Sequence, residues 1–328
     1  MDNKNKIRIA WVHNYDTQVN ASSGVFMYQF HEMVSNLNEN VEIDLVNVGS
    51  VSNPFLLVKK YFKYRKILKG YKILHSQYGS GVGFFVSLFS GVKILSLRGS
   101  DWYVTPTPFL SELVHYRLGC FLTRLSIKRY THVIVMSERM KGEVCATFPS
   151  VRVSVIPDPV DLSKFYPIKK NDRSSFKVLF SSVRQLNTGK RFELAERAFN
   201  IFNKKFPNSE LVFMSGIPHN KVNEYINSVD VILLTSTHEG WPNIIKEGLA
   251  CNVPFVSTDV SDLAQIVEFT SFCYVCAATP ESLSAALEKA YDNRNKEKNL
   301  RSFVELMDKT VISRGMVSLY QQIAVNLH

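Results

Sequence analysis

The 328-residue sequence is poor in cysteine: five residues, an odd number, scattered along the chain. A small disulfide-held scaffold is thereby excluded, and a reducing compartment is the expectation. Long hydrophobic runs are missing too. The longest candidate, Gly81 to Leu97, contains Lys93 and is broken by Gly and Ser, short of the roughly 18 uncharged apolar residues that span a bilayer. The amino terminus, MDNKNKIRIAWV, passes from polar residues straight into a strand-like run. It shows no secretion signal with a longer apolar core and small-residue cleavage site, so a cytoplasmic location is expected. There is no internal repeat and no low-complexity tract, which excludes solenoids and spacer proteins. No Asp-x-Asp metal motif is present. Cys273 and Cys276 form a Cys-x-x-Cys, but they stand in the apolar run SFCYVCAA with no second ligand pair. A buried strand, not a zinc or redox centre, is expected there, and no metal site.

Acidic residues are in short supply as well: 29 against 39 Lys and Arg, a formal charge of +10. The excess is uneven, since residues 1–165 hold 20 basic and 12 acidic residues and account for +8 of it. Its densest part is KKYFKYRKILKGYK. Lys59, Lys60, Lys63, Arg65, Lys66 and Lys69 cover one side of a helical projection, and Leu57, Tyr61, Tyr64 and Leu68 recur on the other at i, i+4, i+7 and i+11, the period of an amphipathic helix. Such a helix packs its apolar stripe and leaves a solvated face, or meets anionic lipid head groups at about 1 kcal/mol per cation. Phe62, on the basic side, tilts the reading toward an anionic membrane surface. No zinc finger, RNP-type motif or basic-region heptad accompanies the charge, so nucleic acid is not expected as a partner.

What is abundant is alternation. IRIAWVH (7–13), VEIDLVNV (41–48), YKILHSQ (71–77), VKILSL (92–97), HVIVM (132–136) and VRVSVI (151–156) read as strands, with helical patterns at 24–37, 55–69 and 109–130 between them. Buried Val/Ile/Leu strands separated by helices indicate parallel sheets covered on both faces, an α/β fold. The stretch from Pro157 to Phe176, with three prolines, breaks the pattern, and a domain boundary is expected there. The alternation then restarts with strands at 177–183, 210–216, 229–236, 253–258 and 271–278 and helices at 191–206 and 242–251. The expectation is two doubly wound, Rossmann-like domains, 1–160 and 161–312, facing across a cleft, followed by a helix at 313–328 that packs back on the first. In open parallel sheets ligands sit beyond the carboxyl ends of the strands, so the residues just after each strand are the ones to examine.

The most informative of these is THEGWPNIIKEGLACNVPFVSTD, residues 237–259. Pro242 is suited to a helix start, where its fixed φ helps and its missing N–H costs nothing. The backbone amides from Trp241 to Ile244, through Asn243, can meet phosphate or sugar oxygens with help from the helix dipole. Glu239 lies in the loop before this helix and Glu247 inside it, so two carboxylates are offered at different depths. A paired-carboxylate hydrolase is conceivable from those acids alone, as is a purely structural pair.

This segment resembles the signature of the glycosyltransferase group 1 family, the retaining nucleotide-sugar transferases of the GT-B fold, in which an EG-aromatic-PN turn leads into a helix with a second Glu. Glu239, Gly240, Trp241, Pro242, Asn243 and Glu247 match as they stand, in a strand, turn, helix and strand setting. VLFSSVRQLNTGKR resembles the start of the family's second domain, with Arg184 and Lys190 in the places of the cations that bind the donor diphosphate. VIPDPVDLSKFYP resembles its interdomain segment. Asp158 and Pro159 depart from the usual pattern there, which is expected to stiffen the turn without touching chemistry. In the first half, ASSGVFMYQF fits the small-residue loop before the first helix, with Ser23 and Gly24 where glycines are common, and LRGSDW is similar to a His-Gly-Ser-Asp segment in which Arg98 replaces the histidine. Asp101 then orients Arg98 or caps a helix. His75 and His13, each at a strand end, are cleft candidates or structural residues.

The resemblance implies a retaining, metal-independent transfer without a cofactor: a sugar passes from a nucleotide-diphosphate sugar to an acceptor hydroxyl. It implies Glu239, Arg184 and Lys190 as catalytic groups, with growing negative charge on the leaving oxygen met by the cations. Glu247 is implied to hold the ribose hydroxyls, Gly240 to Ile244 and Gly24 to complete donor binding, and Ser23, Arg98, Asp101 and His75 to line the acceptor side. Together with the basic first half, the reading is an enzyme at the inner face of the cell membrane acting on a lipid-linked or saccharide acceptor in surface polysaccharide or lipopolysaccharide assembly. Alternatives are another nucleotide-sugar enzyme of the fold, such as an epimerase, or a noncatalytic binding subunit.

Overall fold

The computed structural model describes residues 6–15, 24–37, 40–51, 54–168, 175–180, 188–214 and 217–325. The chain forms two compact units. One comprises Met1–Val104, Phe109–Pro159 and Lys309–His328; the other comprises Thr105–Pro108 and Val160–Asp308.

The first unit is built on six parallel strands: β1 (Ile7–His13), β2 (Val41–Asn47), β3 (Ile73–Ser76), β4 (Val92–Ser96), β5 (His132–Val135) and β6 (Val153–Val155), in the order β2-β1-β3-β4-β5-β6. Ile9 to Val12 in β1 and Val133 to Val135 in β5 are without solvent contact, as strands covered on both faces should be. The covering helices are α1 (Val25–Ser35), α2 (Pro54–Leu68), α3 (Ser80–Ser87), α4 (Leu110–Ser126), α5 (Glu138–Thr147) and the last helix, α11 (Lys309–Val325). In α2 the apolar stripe lies as its period requires: Tyr64 and Leu68 are buried and Leu57 and Tyr61 half-buried, while Lys59, Lys63, Arg65 and Lys66 are exposed. Lys60 differs from its expected place on the basic face. Its Nζ turns inward and donates to the carbonyls of Val48 (2.5 Å) and Ser50 (2.6 Å), closing the loop between β2 and α2.

A buried polar chain ties α11 to this sheet. Trp11 Nε1–H donates to the Tyr320 hydroxyl oxygen (2.7 Å), that hydroxyl lies 2.6 Å from His75 Nδ1, and His75 Nε2 lies 2.8 Å from Ser96 Oγ. A neutral imidazole that accepts from Tyr320 at Nδ1 carries its proton on Nε2 and donates to Ser96. Burial, with Arg98 and His132 nearby, holds the His75 pKa well below its ordinary value, which keeps the ring in this state. Replacing Tyr320 by Phe strands both the Trp11 N–H and His75 Nδ1 in the core. Unfolding titrations should show the Tyr320→Phe variant destabilised by about 2 kcal/mol, the cost of unsatisfied buried polar groups; an unchanged midpoint would mean that the chain is ornamental.

The second unit has five parallel strands, β7 (Phe176–Phe180), β8 (Ser209–Phe213), β9 (Val231–Leu234), β10 (Phe255–Thr258) and β11 (Tyr274–Cys276), in the order β11-β10-β9-β7-β8. Around them pack α6 (Phe192–Lys205), α7 (Val222–Asn227), α8 (Asn243–Ala250), α9 (Leu263–Val267) and α10 (Pro280–Asp292). Cys273 and Cys276 lie at β11, the strand expected for them, and burial pushes the Cys273 thiol up to about 12. The helix that carries Glu247 is held close to its sheet: a Cβ on Gly248 would meet Ile232 Cδ1 at 2.2 Å, so any larger residue where α8 crosses β9 displaces the Ile232 side chain.

Candidate functional site

In the second unit the carboxyl end of β9 runs into Thr235, Ser236 and the Glu239 loop, and a 3-10 turn at Thr188–Lys190 lies against it. Backbone and side-chain bonds fasten the two. Thr237 N donates to Gly189 O (2.9 Å), and Thr235 Oγ1 donates to Lys190 O (2.7 Å). Arg191, at the left-handed φ of 51°, donates from Nε to Thr235 O (2.6 Å) and from its terminal nitrogen to Ser236 O (2.9 Å). Lys190 is thereby brought to Glu239. Its Nζ forms an ion pair with Glu239 Oε1, which also accepts a hydrogen bond from Ser236 Oγ (2.6 Å). Both Lys190 and Glu239 keep partly exposed side chains, 26% and 16%, so the pair is open to a ligand.

Behind the loop, Ser261 Oγ donates to Gly240 O (2.7 Å), and Trp241 and Pro242 are buried. Pro242 is the residue flanking the helix, not its first turn, with ψ 116°. The intrahelical bonds begin with Ile245 N and Lys246 N to Pro242 O, so the amides of Asn243 and Ile244 have no acceptor within the helix, as at any helix start. Glu247 is deeper. Burial raises its carboxyl to about 7, against the opposing pull of Lys246 and Lys164. Lys246 is itself buried, its Nζ 5.9 Å from the centre of the Trp241 ring. The unit thus presents a cation paired with an acid, a helix start and a second, proton-poised acid, a set suited to a ligand that combines phosphate with hydroxyls. Arg184 and Ser23 lie outside the described residues. Among the described residues no group of three or more His, Cys, Asp or Glu is gathered as metal ligands.

The first unit treats its candidates differently. Gly24 opens α1 at φ 70°, where a Cβ would meet the Tyr15 ring at 2.5 Å. Asp101 is fully buried and accepts from the amides of Gly79 (2.8 Å), Arg98 (2.8 Å) and Gly99 (3.0 Å). It fixes the loops after β3 and β4 and does not bond the Arg98 guanidinium. His75 is consumed by the Tyr320 chain. Arg98 pairs with Asp158, donates to Gln77 O and Gln77 Oε1 (3.1 Å each), and lies 4.5 Å over the Phe26 ring. The expectation that Asp158 only stiffens its turn is therefore corrected, because its carboxylate supplies the counter-ion that lets Arg98 be buried. Around this pair three buried polar atoms have no hydrogen-bond partner: His13 Nδ1, Tyr15 Oη and Gln77 Nε2. Desolvation holds His13 down to about 4 and Tyr15 up to about 12, so both rings are neutral. The sequence reading missed Ser236, Arg191 and Gln77. For Ser236 and Gln77 the position just after a strand was the available signal; Arg191 stands at the start of α6, where nothing in the sequence marked it.

The fold matches that of GT-B glycosyltransferases. A sucrose-phosphate synthase of Thermosynechococcus elongatus aligns over 98% of this chain and 100% of its own, with a TM-score of 0.77 at 14% identity. The lipopolysaccharide outer core galactosyltransferase WaaB aligns over 94% of this chain and 98% of its own, with a TM-score of 0.65 at 13% identity. HepE of Anabaena, solved in complex with UDP, aligns over 96% and 99%, with a TM-score of 0.64 at 12% identity. Residues 193–305 match the family described as Glycosyl transferases group 1. Two curated relatives are similar at lower coverage. MJ1059, an uncharacterized glycosyltransferase of Methanocaldococcus jannaschii, is 21% identical over 63% of this chain and 60% of its own length. TuaC of Bacillus subtilis, named as a glycosyltransferase of teichuronic acid biosynthesis, is 24% identical over 60% and 54%. The alignments thus span somewhat more than half of each relative.

Proposed function

We propose that the protein is a retaining glycosyltransferase that moves a sugar from a nucleotide-diphosphate sugar to an acceptor hydroxyl in the assembly of a cell-surface polysaccharide or lipopolysaccharide. The observation that carries this reading is the Lys190–Glu239 pair at the end of β9, beside the start of α8 and with the raised carboxyl of Glu247 inside that helix. Lys190, with Arg184, meets the diphosphate; the first amides of α8 take further oxygens; Glu247 accepts the ribose hydroxyls; Glu239 accepts from the transferred sugar. In the transfer the anomeric carbon–phosphate oxygen bond breaks, the bond to the acceptor oxygen forms on the same face, and the acceptor proton passes to the leaving phosphate. Cationic side chains in place of a metal stabilise the charge that grows on that oxygen.

The acceptor side of this reading rests on the unpartnered His13, Tyr15 and Gln77 atoms beside Arg98, a polar lining fit for saccharide hydroxyls. The relatives named for teichuronic acid and lipopolysaccharide support the polymer class, and HepE with UDP supports the donor class. The exposed cations Lys59, Lys63, Arg65 and Lys66 of α2 and the nearby Lys69 support attachment to an anionic membrane from the cytoplasmic side. No helix among the described residues is long and apolar enough to cross a membrane.

Thermal stabilisation by a panel of nucleotide sugars tests the donor assignment. At 100 times its dissociation constant the right donor adds about 2.7 kcal/mol of stability. A uridine or guanosine diphosphate sugar that stabilises the wild type and not Glu247→Ala is the expected result. If no nucleotide sugar stabilises the wild type, the donor site is misassigned and a binding subunit becomes the better reading.

A further inference from the structure

Helix α4 is built inside out. It turns Cys120, Thr123 and Ser126 to the interior, while Leu110, Val114, Leu118, Phe121 and Leu125 are 50–75% exposed. Those five recur at i, i+4, i+8, i+11 and i+15, one narrow stripe of a helix. Phe109, just before the helix, extends the stripe and is also exposed. The small inner face has a packing reason. Ser80 N, at the start of α3, donates to Thr123 Oγ1 (2.7 Å), a Cβ on Gly79 would meet that oxygen at 2.5 Å, and one on Gly119 would meet Ser80 Oγ at 2.7 Å. Close approach of α4 to α3 therefore demands small residues inside. Nothing in that packing requires five large apolar side chains outside, where water makes each of them unfavourable.

The charges around the stripe identify what covers it. Segments 54–69 and 110–129 contain ten Lys and Arg and a single acid, Glu112. Arg117 and Lys128 adjoin the stripe on α4 and the turn after it, and both are exposed. The two segments belong to one face: Tyr64 of α2 packs on Phe85 of α3, and α3 packs on α4. On α2 the exposed Phe55, Val58 and Phe62 stand among Lys59, Lys63 and Lys66. An apolar stripe whose charged neighbours in these two segments are cations, Glu112 apart, matches an anionic lipid surface, whose acyl boundary takes the apolar side chains while its head groups take the Lys and Arg ends. We propose that α4 is the membrane-inserting element of this protein, lying in the plane of an anionic bilayer with Leu110, Val114, Leu118, Phe121 and Leu125 below the head groups, and α2 contributing charge. The proposal rests on the membrane part of the reading above and adds the surface that inserts.

Flotation of the full chain with phosphatidylglycerol/phosphatidylcholine vesicles, at low and high salt, tests it. The wild type binds and keeps part of its binding at high salt. Leu118→Gln/Phe121→Gln weakens binding about tenfold at both salts, whereas Lys63→Gln/Lys66→Gln weakens it mainly at low salt. Leu110→Gln/Val114→Gln reproduces the first result from the other end of the helix, should one variant fold poorly. Phe121→Trp gains a blue-shifted emission on adding vesicles. Wild-type binding by both stripe variants overturns the proposal, as does a stripe variant that turns a dimer into a monomer while vesicle binding is kept; the stripe is then a contact between copies. A wild type stabilised by a nucleotide sugar that ignores every vesicle overturns it too and leaves the transferase reading standing. Vesicle binding without any nucleotide-sugar response sinks the transferase reading instead.

Discussion

Glu239→Gln should lower turnover by about 10²- to 10³-fold, the scale on which one preorganised polar group at a reacting centre acts. The wild-type carboxylate is fixed before any ligand arrives. Oε1 accepts from Ser236 Oγ and holds Lys190 Nζ, and the loop that carries it is pinned by the bonds of Arg191 and Thr237 to its surroundings. A carboxamide keeps the volume and can still accept from Ser236, so the fold has no reason to change. What it removes is the negative charge that holds Lys190 in place and accepts strongly from a donor hydroxyl. Lys190 is then released to other conformations, and the leaving diphosphate loses a placed cation. Initial rates with the donor found by the stabilisation panel, measured beside donor binding by the same variant, separate chemistry from affinity. Loss of rate with donor binding retained is the expected pair of results. Turnover within about threefold of wild type would show that Glu239 is a loop anchor only.

The alternation of apolar runs and amphipathic segments located the strands because the inner ones, such as β3, β9 and β10, are buried on both faces and so read as continuous hydrophobic runs, while strands such as β6 and β11 are only half-buried and read from their Val-containing composition. It was silent about α3. GSGVGFFVS carries three glycines and no charged residue, since the helix packs against α2 and α4 and shows little of itself to water. The last helix begins at Lys309, earlier than the expected 313, because its first turn carries no periodic apolar signal strong enough to mark it. At the site, Glu239 and Glu247 stood out as a spaced pair in one segment and Lys190 through the resemblance of another, whereas their depths did not: that Glu247 is desolvated is a property of the folded surroundings, which no spacing reveals. The Arg98–Asp158 pair was hidden for a different reason. Each residue departs from the resembled pattern by itself, and only the fold shows that the two departures meet in one ion pair. In α4 the helical period was plain, yet periodicity alone names a stripe without saying which side of it faces the protein.

Donor binding should depend on pH, and the dependence should belong to Glu247. Its carboxyl is raised from 4.5 to about 7 by burial. The sign follows from linkage: the buried anion is the unfavourable form, so this group's contribution to stability is complete below 4.5 and is lost as pH rises through 7. A ligand whose ribose hydroxyls donate to the carboxylate compensates that anion and binds only the ionised form well. Affinity for a nucleotide sugar, whose diphosphate diester does not titrate in this range, should then rise with pH and level off above 7. About one tenth of the sites are ionised at pH 6 and nine tenths at pH 8, so the dissociation constant should fall about tenfold between them. Titration calorimetry at pH 6, 7 and 8 reads this directly. In Glu247→Gln the affinity should be lower throughout and flat with pH, since the amide neither ionises nor accepts as strongly. A flat wild-type profile would place the ribose away from Glu247, and the buried acid would then be a structural neighbour of Lys246 and Lys164.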